Sequence, residues 1–142
     1  MTCSDFTILV VEDDPGMQKI YEKSLLGEGY KVVLAESGAR ALAELEEARV
    51  DLLITDLKMK TMSALEMLPV LKKDHPQIPV IVVSGRYEGL MADFHKKGFT
   101  NVEMFYQKPL NMIVLKQKIR EILKIEKSDP KPSKLPPDPI NS

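Results

Sequence analysis

The chain has no tryptophan, one cysteine and two histidines among its 142 residues. With Cys3 alone, no internal disulfide and no cysteine-built zinc site can form, and a reducing cytoplasm is the expected location. A lone cysteine near a terminus is expected as a surface thiol. His75 and His95 fall on expected helix ends or surfaces, so neither is read as a phosphoacceptor or metal ligand. The formal net charge is −1, which gives no basis for nucleic-acid binding by this chain. No apolar run approaches the length of a membrane span. The opening residues Met1 to Phe6 lack the basic and apolar regions of a signal peptide.

What is present is an ordinary globular composition, 44% hydrophobic and 29% charged. The length suits one domain that buries roughly two-thirds of its surface. Four hydrophobic stretches each end in a charged or reactive residue. Leu9-Val10-Val11 runs into Glu12-Asp13-Asp14, and Leu52-Leu53-Ile54-Thr55 into Asp56. Val80-Ile81-Val82-Val83 runs into Ser84-Gly85, and Met104-Phe105-Tyr106-Gln107 into Lys108-Pro109. Four such junctions predict strands of one parallel sheet. The carboxyl ends of such strands open onto one crevice, where ligands bind.

Helical patterns fill the gaps between strands. Asp14-Pro15 starts the first helix, with Met17, Ile20, Tyr21, Ser24 and Leu25 at helical spacing and Gly27 and Gly29 at its end. Tyr30–Ala35 is the second strand, and Ser37 caps a helix carrying Ala41, Leu42 and Leu45 on one face. Val50–Thr55 is the third strand. A helix from near Ser63 turns Leu65, Leu68, Val70 and Leu71 inward and contains Pro69, which should kink or delay it. Ile78–Val83 is the fourth strand, Tyr87–Lys97 the fourth helix and Val102–Gln107 the fifth strand. The last helix, Asn111–Glu126, carries Leu115, Ile119, Ile122 and Leu123. Residues 1–127 therefore read as one doubly wound α/β domain. Residues 128–142 hold five of the ten prolines and read as an extended disordered tail or interdomain linker.

Adjacent carboxylates at a strand end repel one another unless a cation joins them. Hard oxygen ligands suit Mg²⁺ or Mn²⁺, and Glu12, Asp13 and Asp56 would supply them. An aspartate can also attack phosphorus to give an aspartyl phosphate. The transferred group then needs a cation and a hydroxyl donor opposite the metal, roles open to Lys108 and Ser84.

On these residues the chain, from about Phe6 to Glu126, resembles a response-regulator receiver domain of the two-component phosphorelay family. The matching segments are Ile8–Pro15, Asp51–Met59, Pro79–Gly85 and Lys108-Pro109. The resemblance implies a five-stranded (βα)5 flavodoxin-like fold with strand order 2-1-3-4-5. It implies that Asp56 accepts a phosphoryl group from a sensor histidine kinase or phosphotransfer protein. It also implies a Mg²⁺ (or Mn²⁺) held by Asp13, Asp56 and the Lys58 backbone carbonyl, with Glu12 acting through water. Ser84 and Lys108 would stabilise the phosphoryl group, and Ser84 and Phe105 would act as the switch. Lys58 and Arg86 occupy positions that tune the lifetime of the phosphorylated state. The face of the fourth helix, fifth strand and last helix would then meet an output domain or a second receiver. No membrane and no nucleic acid would be bound directly. The chain would be no enzyme beyond self-catalysed phosphorylation and autodephosphorylation.

Lys60 and Ala64 replace the family's usual proline and glycine, and the segment from Gly98 to Lys108 is longer than expected, which leaves Tyr106 as a rival to Phe105. Met112, Ile113 and Val114 are either a docking surface or a cover for the sheet edge. A phosphorylation-independent interaction module keeps the same fold. A haloacid-dehalogenase-type phosphotransferase would need a second acid where Asp56-Leu57-Lys58 has a lysine, and a flavodoxin-like cofactor binder would need a phosphate loop after the first strand.

Overall fold

The structure, a computed structural model, describes residues 2–56, 64–84, 102–108 and 110–124. A 3-10 turn, Cys3–Asp5, precedes five strands: β1 (Thr7–Val11), β2 (Lys31–Ala35), β3 (Leu52–Asp56), β4 (Val80–Ser84) and β5 (Val102–Gln107). Four helices are described: α1 (Pro15–Glu28), α2 (Gly38–Glu47), α3 (Ala64–Asp74) and α4 (Met112–Leu123). The helix expected over Tyr87–Lys97 and the tail over 128–142 lie outside the described residues. All strand pairings are parallel, in the order β2-β1-β3-β4-β5. The order reverses at β1/β3, where the acidic residues lie.

Local chemistry fixes the helix ends. The Asp14 carboxylate accepts the Met17 N–H at 2.8 Å ahead of Pro15, and α1 stops at Gly29, whose φ of +104° suits glycine. Ser37 caps α2 through the Arg40 N–H, and Asn111 caps α4 through the N–H groups of Ile113 and Val114. Lys124 takes φ +57° and ends α4 short of the expected Glu126. Pro69 sits inside α3 but faces solvent, so the hydrogen bond it removes is lost where water can replace it.

The alternating strand residues build two separate cores. Leu9, Val11, Leu53, Val80, Val82 and Phe105 pack with Met67, Leu68 and Leu71 of α3 and with α2. Ile8, Val10, Leu52, Ile54, Ile81 and Val83 pack with Tyr21 and Leu25 of α1 and with Leu115 and Ile119 of α4. Three expectations are corrected. Ile20 is exposed, Met67 rather than Val70 fills the α3 core position, and Cys3 is buried at 8% exposure because the 3-10 turn packs against Gly29 and Tyr30. In the β4·β5 pairing Val80 faces Val102 but Ile81 faces Met104, so Glu103 is an extra, bulged residue.

Candidate functional site

The acidic site is assembled where β1 and β3 end. Glu12 continues the β1 ladder, its N–H bonding the Ala35 carbonyl at 2.9 Å, and its own carbonyl accepts the Gln18 side-chain amide at 2.6 Å. That amide ties the first turns of α1 to the strand end, a contact the sequence pattern did not reveal. One carboxylate oxygen from each of Glu12, Asp13 and Asp56 lies within 4.8 Å of the others. Glu12 is 2% exposed. One of its oxygens, Oε2, accepts the Asp14 N–H at 3.0 Å, while Oε1 is buried with no hydrogen-bond partner among the described residues. Burial, and then the neighbouring carboxylates of Asp56 and Asp13, hold the Glu12 carboxyl above its ordinary range, against the pull of the Asp14 N–H and Lys108. Three hard oxygen donors converging on a spot with an orphaned carboxylate oxygen fit a divalent cation.

Lys108 closes the site from β5. Its backbone N–H bonds the Ser84 carbonyl at 2.7 Å, and its ammonium reaches Asp56 Oδ2 at 3.2 Å. The expected residues Glu12, Asp13, Asp56 and Lys108 are thus brought together. Ser84, 5% exposed, ends the neighbouring strand β4, where Val83 pairs with Asp56. Lys58, Arg86, Gly85 and Lys60 lie outside the described residues. Ala64 begins α3, and among the described residues the one non-glycine with positive φ is Lys124. Ala64, where the family usually has glycine, is therefore not held at positive φ.

Phe105 and Tyr106 point to opposite faces of the sheet. Phe105 pairs with Val82 and shares its core, and Ser84, two residues after Val82, faces the same way. Tyr106 pairs with Val83 and packs on the α1/α4 side. The Glu103 bulge is what decides this. Val102 already lies on the Val82 face, so plain alternation would have sent Phe105 to the other. Phe105 is 4% exposed, so it sits inside the core from the start. Ile113 is 70% exposed and Val114 is also exposed, so neither covers the sheet edge.

Comparison with known proteins agrees with this geometry. A family model described as the response regulator receiver domain matches residues 8–120. The chain is 37% identical over 116 residues to the transcriptional regulatory protein GlrR of Escherichia coli, covering 82% of this chain and 26% of that protein. It is 31% identical over 118 residues to the heme response regulator HssR of Staphylococcus saprophyticus, covering 83% of this chain and 51% of that protein. The chain therefore spans about a quarter to a half of the length of these relatives. Among solved structures, a CheY-like receiver domain protein of Methanospirillum hungatei superposes with a TM-score of 0.76 at 28% identity, covering 84% of this chain and 94% of that one. The sheet order, the converging site and these matches together make the chain a member of the response regulator receiver domain family.

Proposed function

We propose that Asp56 is the phosphoacceptor and that Glu12, Asp13, Ser84 and Lys108 serve it. The observation that carries this is the convergence of three carboxylates with the Lys108 ammonium 3.2 Å from Asp56. One Asp56 oxygen attacks the phosphorus of a phosphohistidine on a kinase or phosphotransfer protein. The new P–O bond forms as the P–N bond breaks, and the imidazole leaves with that electron pair. Asp13, Asp56 and the Lys58 carbonyl would hold Mg²⁺, with Glu12 orienting its water. Bound there, the ion offsets the charge on the phosphoryl oxygens. Lys108 and Ser84 supply donors from the other side.

The product adds about two negative charges to the crevice. Ser84 moves toward the phosphoryl group and frees space that Phe105, already in the core on that face, repacks into. The change would pass through β5 to the start of α4, where exposed Ile113 and Val114 offer an apolar surface to an output domain or second receiver. Among the described residues no helix is long and apolar enough to cross a membrane, and a cytoplasmic site of action follows the family.

Intact-mass measurement after incubation with acetyl phosphate tests the reading. A Mg²⁺-dependent gain of one phosphoryl group, lost in Asp56→Asn, is expected. No adduct with or without Mg²⁺, with no Mg²⁺ binding, would favour a phosphorylation-independent interaction module. Lys58→Ala and Arg86→Ala should each speed loss of the phosphoryl group. Unchanged rates in both would remove their assigned role.

A further inference from the structure

We propose that Gln18 is a positioning residue of the acidic site, its side-chain amide setting the peptide that carries both Glu12 and Asp13. The inference deepens the phosphoacceptor reading and rests on it for its consequence, though not for its geometry. The peptide between residues 12 and 13 is a rigid plane with one Cα at each end. Those two Cα atoms bear two of the three carboxylates of the cluster. Turning the plane moves both at once. Its oxygen, the Glu12 carbonyl, accepts a Gln18 Nε2–H at 2.6 Å in a half-buried setting.

The planes on either side are held as well. Before it, the Glu12 N–H bonds the Ala35 carbonyl at 2.9 Å and belongs to the sheet. After it, the Asp14 N–H bonds Glu12 Oε2 at 3.0 Å. One plane further, the Asp14 carbonyl accepts the Gln18 backbone N–H at 2.9 Å. Gln18 therefore grips the acidic loop twice. The backbone bond is open to any residue but proline, whereas the side-chain bond needs a donor of this reach. Glutamine donates without charge, so it holds the carbonyl without setting a cation beside the acids to compete with an ion. The carboxylates repel one another, and a loose loop would let them part. Gln18 keeps them gathered in advance of the ion, as groups behind metal ligands do. Gln18 also lines a cleft of about 300 Å³ with Leu34, Glu36 and Arg40. Water can take the place of the amide there, so loss of the donor loosens the loop without unfolding the chain.

The test uses the full chain labelled with ¹³C and ¹⁵N. In metal-free wild type, a coupling across the hydrogen bond should link the Gln18 side-chain nitrogen to the Glu12 carbonyl carbon. Gln18→Met keeps the length of the side chain and removes the donor. It should shift the backbone nitrogen of Asp13, which shares the freed plane, while the urea unfolding midpoint stays near wild type. It should also bind Mg²⁺ about 10-fold more weakly. A purely structural role would lower the midpoint and leave the affinity of the folded protein unchanged. Absence of the coupling in wild type, or Mg²⁺ affinity in folded Gln18→Met equal to wild type, overturns the proposal. The coupling decides the matter even if Gln18→Met fails to fold. Wild type that shows the coupling but takes up no phosphoryl group counts against the phosphoacceptor reading and not against Gln18.

Discussion

Lys108 and Glu12 make opposite demands on their surroundings, and each gives a measurable consequence. Lys108→Ala removes the cation 3.2 Å from Asp56. Loss of one preorganised donor should slow phosphoryl acceptance from acetyl phosphate by about 10²-fold, read by the rate of mass gain. Glu12 binds its proton more tightly folded than unfolded. The folded state therefore holds more protons than the unfolded state in the window above about 4.5, so stability present at lower pH is lost as pH rises through the raised value. Urea unfolding of metal-free protein should show this slope, and Glu12→Gln should flatten it. Added Mg²⁺ should offset the loss at high pH, because it binds the ionised carboxylates of the folded state alone. The acids, Ser84 and Lys108 were legible in the sequence because each ends an apolar strand. Gln18 was not, since on α1 it occupies an ordinary helix position and only the fold reveals that its amide meets the Glu12 carbonyl.

At the scale of elements, caps and turns were legible and register was not. Asp14 and Ser37 announce their helices as caps, and Asn111, read from sequence as the first residue of the last helix, is its N-cap. Asn111→Ala should cost about 1 kcal/mol of stability, measurable in urea. Lys124→Gly should add about 0.5–1 kcal/mol, since glycine adopts the left-handed turn without strain. The bulge at Glu103 left no mark beyond a segment that looked too long, because a bulge is a property of pairing and both neighbours read as plain strand. Deleting Glu103 denies Val102 and Phe105 simultaneous burial in one core. It should cost about 2–5 kcal/mol, the range for losing a large buried side chain. Unchanged unfolding in urea would show that the pairing tolerates either count.

For the whole molecule, the alternation of strands and helices made the doubly wound architecture legible, and the continuous apolar runs of β1, β3 and β4 are what a sheet covered on both faces requires. The identity of the α3 core residues was less legible, since Met67 and Val70 are both apolar and only packing against α2 separates them. The two cores on either side of the sheet have a consequence for how the molecule carries information. By strand alternation Glu12 and Asp56 fall on the side of Ile8, Val10, Leu52 and Ile54, under α1 and α4, whereas Ser84 falls on the side of Val82 and Phe105, under α2 and α3. The crevice lies at the seam, edge-on to the sheet. The proposed covalent change at Asp56 would thus be written on one side of a wall and read on the other. Strand ends, rather than any continuous run of core side chains, are the place where the two compartments meet.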